Sequence, residues 1–157
     1  MKNSSAFRKK AVSVSMRLFL FQKLPLAFLA GVRIKAFDTE GITTSLRFRW
    51  INQNPFRSMY FAAMHMAAEL ATGLLLFQYM NKETRFSMLL INTQASFTQK
   101  AVGNISFQCF EGKNAEAFIQ KMLDSEEGDI IHLPVKAYNE KDEEIATFQY
   151  SWSCKKK

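Results

Sequence analysis

Between Ser58 and Met80 the chain carries one carboxylate, Glu69, and one histidine, His65, among small and apolar side chains with few other polar ones. A surface helix shows a wide polar face, so this segment reads as a helix covered on most sides. Its polar residues fall on one narrow line: Ser58, His65, Glu69 and Thr72 recur at helical spacings. Asn54 and Pro55 stand where an N-cap and a first helical residue belong. Gly73 interrupts the interior, where it costs some stability and permits a close approach by a neighbour.

The flanking patterns supply the layers around that helix. Phe7, Ala11, Val14 and Leu18 predict a first helix over residues 4–21, capped by Ser4 or Ser5. Pro25 ends it and leaves Leu26–Ala30 as a short apolar connection. Residues Gly31–Asp38 and Ile42–Ile51 alternate around Thr39-Glu40-Gly41 and predict a hairpin. Val32, Ile34 and Ala36 share one side of it, and Leu46, Phe48 and Trp50 point inward.

After the long helix, Phe86–Gln99 predicts a long strand whose apolar start, Met88–Ile91, is covered on both faces. Ile105–Phe110 is a second strand, Asn114–Asp124 a short amphipathic helix, and Asp129–Tyr138 a strand in which Pro134 marks an edge or a bulge. The last strand, Ile145–Cys154, sets Ala146, Phe148, Tyr150 and Trp152 on one face. Strands adjacent in sequence, without repeated crossover helices, predict an α+β architecture: an antiparallel sheet wrapped around the central apolar helix. The N-terminal helix and connection, residues 1–25, belong to the same domain as the body, residues 26–157. No internal repeat or low-complexity segment is present.

Composition excludes disorder, with 48% hydrophobic residues and 15 Phe. The net charge of +7 has a clustered origin: Lys2, Arg8, Lys9, Lys10, Arg17 and Lys23 crowd the start and Lys155–Lys157 the end. Such ends read as solvated termini, and a nucleic-acid face would need basic residues interleaved with exposed aromatics. The excess positive charge also suits anionic ligands such as the phosphates of a CoA ester. Cys109 and Cys154 have no metal-ligand or disulfide spacing and read as buried thiols of a reducing, cytoplasmic compartment. A secretory core is interrupted by Arg17, Gln22 and Lys23, and Glu69 beside His65 disfavours a membrane span. His132 and the cysteines have no partner at a catalytic spacing.

The stretch Asn54-Pro55-Phe56-Arg57-Ser58-Met59-Tyr60-Phe61-Ala62 resembles the helix start of hotdog-fold thioesterases of the phenylacetate-pathway and 4-hydroxybenzoyl-CoA types. Their pattern is Asn, two residues, Gly, two residues, His-Gly-Gly, then an acidic residue along the helix. Asn54 matches, and Glu69 falls on the position of the catalytic acid. Arg57 stands in place of the first Gly, Tyr60 of the His, and Phe61-Ala62 of the Gly pair.

The resemblance implies the hotdog fold and a homodimer, or a dimer of dimers, that hydrolyses an acyl-CoA thioester without cofactor or metal. It makes Glu69 and Asn54 catalytic, with Tyr60, Phe61 and Ser58 at the oxyanion and substrate. His65 and Thr72 are candidates to orient Glu69, and Arg57, Arg85 and Lys100 to meet CoA phosphates. Two other classes stay open. One is a hotdog protein that binds an acyl or lipid-like ligand without turnover. The other is a basic nucleic-acid or membrane-surface protein, whose salt-dependent binding would vanish on removing residues 1–10 and 155–157.

Overall fold

The computed structural model of the chain describes residues 2–125 and 127–157. Three helices, α1 (Lys2–Ala11), α2 (Val14–Lys23) and α3 (Pro25–Ala30), precede a hairpin of β1 (Arg33–Phe37) and β2 (Ile42–Arg47). The central helix α4 (Phe61–Phe77) leads into β3 (Phe86–Phe97) and β4 (Asn104–Cys109). Helix α5 (Gly112–Leu123) and the long strands β5 (Asp129–Tyr138) and β6 (Glu144–Lys156) complete the chain. All strand pairs are antiparallel and form one sheet in the order β1-β2-β4-β5-β6-β3.

Helix α4 packs against β2, β4, β5 and β6, as its all-round apolar sequence requires. Ala67, Ala68 and Ala71 are fully buried, and these small residues bring helix and sheet close. At that contact the Thr44 hydroxyl on β2 donates to the Ala67 carbonyl at 2.8 Å. Helix α5 lies on α4, β5 and β6, burying Ala115, Phe118, Ile119 and Met122 on one stripe. Ala146, Phe148, Tyr150 and Trp152 of β6 all point into the core, as their alternation requires.

Several elements differ from the sequence pattern. The single helix over 4–21 is two helices, α1 and α2, because the Ser13 hydroxyl captures the Lys10 carbonyl and turns the chain. Leu26–Ala30 is no irregular connection but helix α3, with Pro25 in its first turn and Gly31 closing it in the left-handed region at φ 93°. In β1 the register slips at Lys35, so Ala36 leaves the side it was expected to share with Val32 and Ile34: Ala36 is exposed and Phe37 buried.

Strand β2 ends at Arg47, and Trp50 lies in a short 3-10 turn, 82% exposed instead of inward. The buried Asn52 ends the strand by donating to the Arg47 and Ala30 carbonyls and accepting from the Arg49 N–H. Met88–Ile91 is not covered on both faces, since Leu89 and Ile91 are exposed. The cause is topological: β3 is an edge strand and, among the described residues, pairs only with β6. Pro134 lies in the half of β5 that β4 no longer reaches, so its missing N–H falls at a local edge.

Candidate active site on the central helix

Glu69 is half-buried on α4, and burial pushes its carboxyl above the usual carboxylate range. None of the ion pairs among the described residues involves it. Space beside it comes from Gly73: a Cβ there would lie 3.6 Å from Glu69 Oε1 and 3.6 Å from the Trp152 ring. Thr72 does not orient the carboxylate as its spacing suggested. Its hydroxyl donates to the Glu69 main-chain carbonyl at 3.0 Å and accepts the Trp152 indole N–H at 3.0 Å.

His65 is likewise engaged elsewhere. Its Nδ1 lies 2.9 Å from the Tyr150 hydroxyl, and its ring meets Phe148 edge-on at 5.0 Å, with Phe61 and Phe97 beyond. Burial lowers its pKa, so the ring is held neutral. The Tyr150 phenol is pushed up first by burial and then by the nearby Glu69 charge, while a hydrogen bond with Thr93 acts the other way. Tyr150 is therefore a neutral phenol hydrogen-bonded to His65, with the Glu69 charge nearby. Spacing along the sequence marks neither Tyr150 nor Trp152 as a site residue. Their only sequence signal was the inward alternation of the last strand.

The segment before α4 is a loop, not the first helical turn. Asn54 does not cap α4, which begins at Phe61 with Tyr60 in the cap position. The Asn54 carboxamide instead accepts the Phe56 and Ser58 N–H groups at 2.9 and 3.2 Å and donates to Ser58 Oγ at 3.1 Å. Ser58 is buried within this staple and lies outside the helix. Arg57 has φ 58°. The position where the related pattern has glycine thus keeps the left-handed backbone that glycine favours.

The helix-start N–H groups divide. The Tyr60 N–H donates to the Asn52 carbonyl at 2.7 Å and is no longer free for an oxyanion. Phe61 and Ala62 carry the next two N–H groups, and neither meets an acceptor among the described residues. Phe61 borders a groove of about 350 Å³ together with Asn54, Ser58, Met64, Phe97 and Lys100. Lys100 Nζ donates to the Phe56 carbonyl at 3.4 Å, which ties it to the Arg57 loop. Arg85 does not join them. It precedes β3, whose length separates it from Phe97 by about 35–40 Å at strand rise.

The two thiols are buried and free, and burial pushes Cys109 up to about 12 and Cys154 to about 11, which makes both poor nucleophiles. His132 bonds Ser151 Oγ, away from Glu69. Among the described residues no three His, Cys, Asp or Glu side chains are grouped to hold a metal. No described helix is long and apolar enough to cross a membrane.

An antiparallel sheet wrapped on a long apolar helix is the hotdog fold, and solved structures of thioesterase-like proteins share it. A Pseudomonas aeruginosa protein described as of unknown function and a probable thioesterase superposes with a TM-score of 0.78. It is 16% identical, over 92% of this chain and 97% of that one. A Chlorobaculum tepidum protein of unknown function gives 0.76 at 14% identity, covering 91% and 93% of the two chains. A Haemophilus influenzae thioesterase gives 0.68 at 10% identity, covering 90% and 88%. Residues 12–154 match the family described as domain of unknown function DUF4442, and the chain belongs to that family. No curated protein matches the sequence.

Proposed function

We propose that this protein is an acyl-CoA thioesterase whose site is completed by a second copy of the chain, with Glu69 as the catalytic carboxylate. The observation that carries the reading is Glu69 itself: a carboxylate without an ion-pair partner among the described residues, on an apolar helix, with a pKa raised towards the range of a general base. Glu69 activates water or attacks the thioester carbonyl, and a helix-start N–H receives the oxyanion. Because the Tyr60 N–H is occupied, that donor is the Phe61 N–H.

One protomer cannot supply both groups. Phe61 and Glu69 are eight residues apart on α4, about 12 Å along the axis. A single carbonyl meets both only when two helices face each other, Glu69 from one and Phe61 from its partner. Strand β3 supports that arrangement. It is a sheet edge, it carries exposed Leu89 and Ile91, and its Thr93 is the cross-strand partner of Tyr150. Edge-to-edge pairing of β3 in a twofold dimer makes one continuous sheet. Arg57 and Lys100, which share the loop before the helix, are the groups for CoA phosphates. The free thiols support a cytoplasmic setting.

A ligand-binding protein without turnover is the second reading, favoured by the exposed Phe61 ring at the groove, in place of the first glycine of the Gly pair in the thioesterase pattern that the sequence resembles. The test is hydrolysis of a panel of acyl-CoAs of varied chain length by the native protein and by Glu69→Gln. Turnover lost in Glu69→Gln supports the thioesterase. Turnover indifferent to that change removes Glu69 from the reaction, and tight binding without turnover by either form selects the ligand-binding protein.

A further inference from the structure

The first 37 residues hold eight of the 21 Lys and Arg and none of the 14 Asp and Glu, whereas the remaining 120 carry 13 cations against 14 anions. The whole positive excess therefore belongs to α1, α2, α3 and β1. Part of it surrounds apolar side chains that the fold leaves uncovered. On α2, Met16 and Leu20 turn into the core, while Val14, Leu18 and Phe21 stand 82%, 59% and 56% exposed. Phe21 packs on Phe28 of α3 at 5.3 Å, which stiffens this apolar tip.

The tip and the cations form one continuous surface. Val14, Arg17, Leu18, Phe21 and Phe28 border an open apolar depression of about 430 Å³. Val14 and Arg17 also border a groove of about 300 Å³ whose far wall is Arg33, Ile34 and Lys35 of β1. Arg33 and Lys35 in turn border a polar cleft of about 450 Å³ with Arg47 and Arg49. None of these cations is ion-paired among the described residues, although Glu140 lies at the cleft's rim.

We propose that this surface docks the protein on an anionic lipid bilayer. The Leu18–Phe21 side of α2 enters the headgroup boundary, and Arg17, Arg33, Lys35, Arg47 and Arg49 meet lipid phosphates. An apolar helix face rimmed by Lys and Arg is the chemistry of interfacial binding, in which buried apolar area and attraction to anionic lipid add. A second copy of the chain is the poorer occupant. A twofold contact would set Arg17 and its neighbours against the same cations of the partner. Nucleic acid accounts for the cations and leaves Val14, Leu18 and Phe21 without a role. The proposal does not depend on the thioesterase reading, because Glu69 and the Phe61 groove border none of these three depressions.

The test is co-sedimentation of the full chain with vesicles of phosphatidylcholine alone or mixed with phosphatidylglycerol, alongside Leu18→Ser/Phe21→Ser and Arg33→Gln/Arg47→Gln. The native protein should partition to the mixed vesicles and not to phosphatidylcholine alone. Removing two cations should weaken partitioning roughly 30-fold, from about 1 kcal/mol per charge near an anionic surface. The apolar variant should weaken it at least as much while its circular dichroism stays native. Independently of any variant, amides of residues 14–23 should gain protection from hydrogen exchange when mixed vesicles are added. Absence of partitioning at low salt overturns the proposal. So does partitioning that both variants leave unchanged and that disappears only on removing residues 1–10 and 155–157. Duplex DNA binding unaffected by Leu18→Ser/Phe21→Ser, or an oligomer that dissociates in that variant without vesicle binding, reassigns the face and overturns it too.

Discussion

The Tyr150 hydroxyl of β6 lies 2.9 Å from Nδ1 of His65 on α4, and the same hydroxyl reaches the His65 carbonyl at 3.3 Å. This contact locks the central helix to the sheet one turn before Glu69, across 85 residues of sequence. One arrangement satisfies both contacts: Tyr150 O–H donates to the carbonyl and Nδ1–H donates to the phenol oxygen. Tyr150→Phe should therefore cost about 1–3 kcal/mol, the range for stranding a buried polar partner. A double-mutant cycle with His65→Leu, read by denaturant unfolding, checks it. Strict additivity of the two changes would remove the coupling.

Glu69→Gln should lower acyl-CoA turnover on the order of 100- to 10,000-fold, the usual contribution of a general base. The same change should stabilise the fold at neutral pH. Burial raises the carboxyl's pKa in the folded state, so the charge opposes folding increasingly as pH rises from the ordinary value of 4.5 to that raised value. The penalty is absent well below 4.5, where both states are protonated, and is complete above the folded pKa. Thermal unfolding of the native protein and the variant should therefore diverge towards neutral pH and converge towards 4.5.

His65 works with the opposite sign. Its folded pKa is lowered from 6.5, so the neutral ring's contribution is complete above 6.5 and is lost as pH falls through the folded value. In His65→Asn the acid-side loss of stability between 6.5 and that value should shrink. A urea series across pH measures it.

Phe61→Pro tests the oxyanion donor without dismantling the helix. Proline is favoured at the first helical position, and Tyr60 already has the extended backbone (φ −67°, ψ 131°) that a following proline requires. Loss of the Phe61 N–H should cost about 100- to 1000-fold in turnover with stability little changed. Mixed dimers of Phe61→Pro and Glu69→Gln should regain activity, because one of their two sites is intact. Failure of the mixture to recover would place both groups in the same protomer's site.

Two backbone substitutions should be stabilising. Arg57→Gly relaxes a left-handed residue at φ 58°, for a gain of about 0.5–1 kcal/mol once glycine's own entropy cost is subtracted. Gly73→Ala places a methyl at ordinary contact distance from Glu69 and Trp152 and removes a helix-interior glycine, for about 0.5–1 kcal/mol. Chemical denaturation measures both. A loss at Gly73→Ala would show that the Trp152 ring needs more room than 3.6 Å.

Alternation and helical spacing were enough to place the sheet, the buried helix and Glu69 upon it, because periods of about 2.0 and 3.6 are local properties of the chain. Alternation also put Phe148, Tyr150 and Trp152 on one inward face. Local pattern misplaced the start of α4, since Asn54-Pro55 reads equally well as a helix cap and as the loop staple that it forms with Ser58. Which partners His65 and Thr72 choose, that Tyr60's N–H is consumed by Asn52, and that Arg85 stands a strand's length from Lys100 were decided by the tertiary structure alone. Those facts depend on which distant strand lies over which turn of the helix, and spacing along one element carries no information about that.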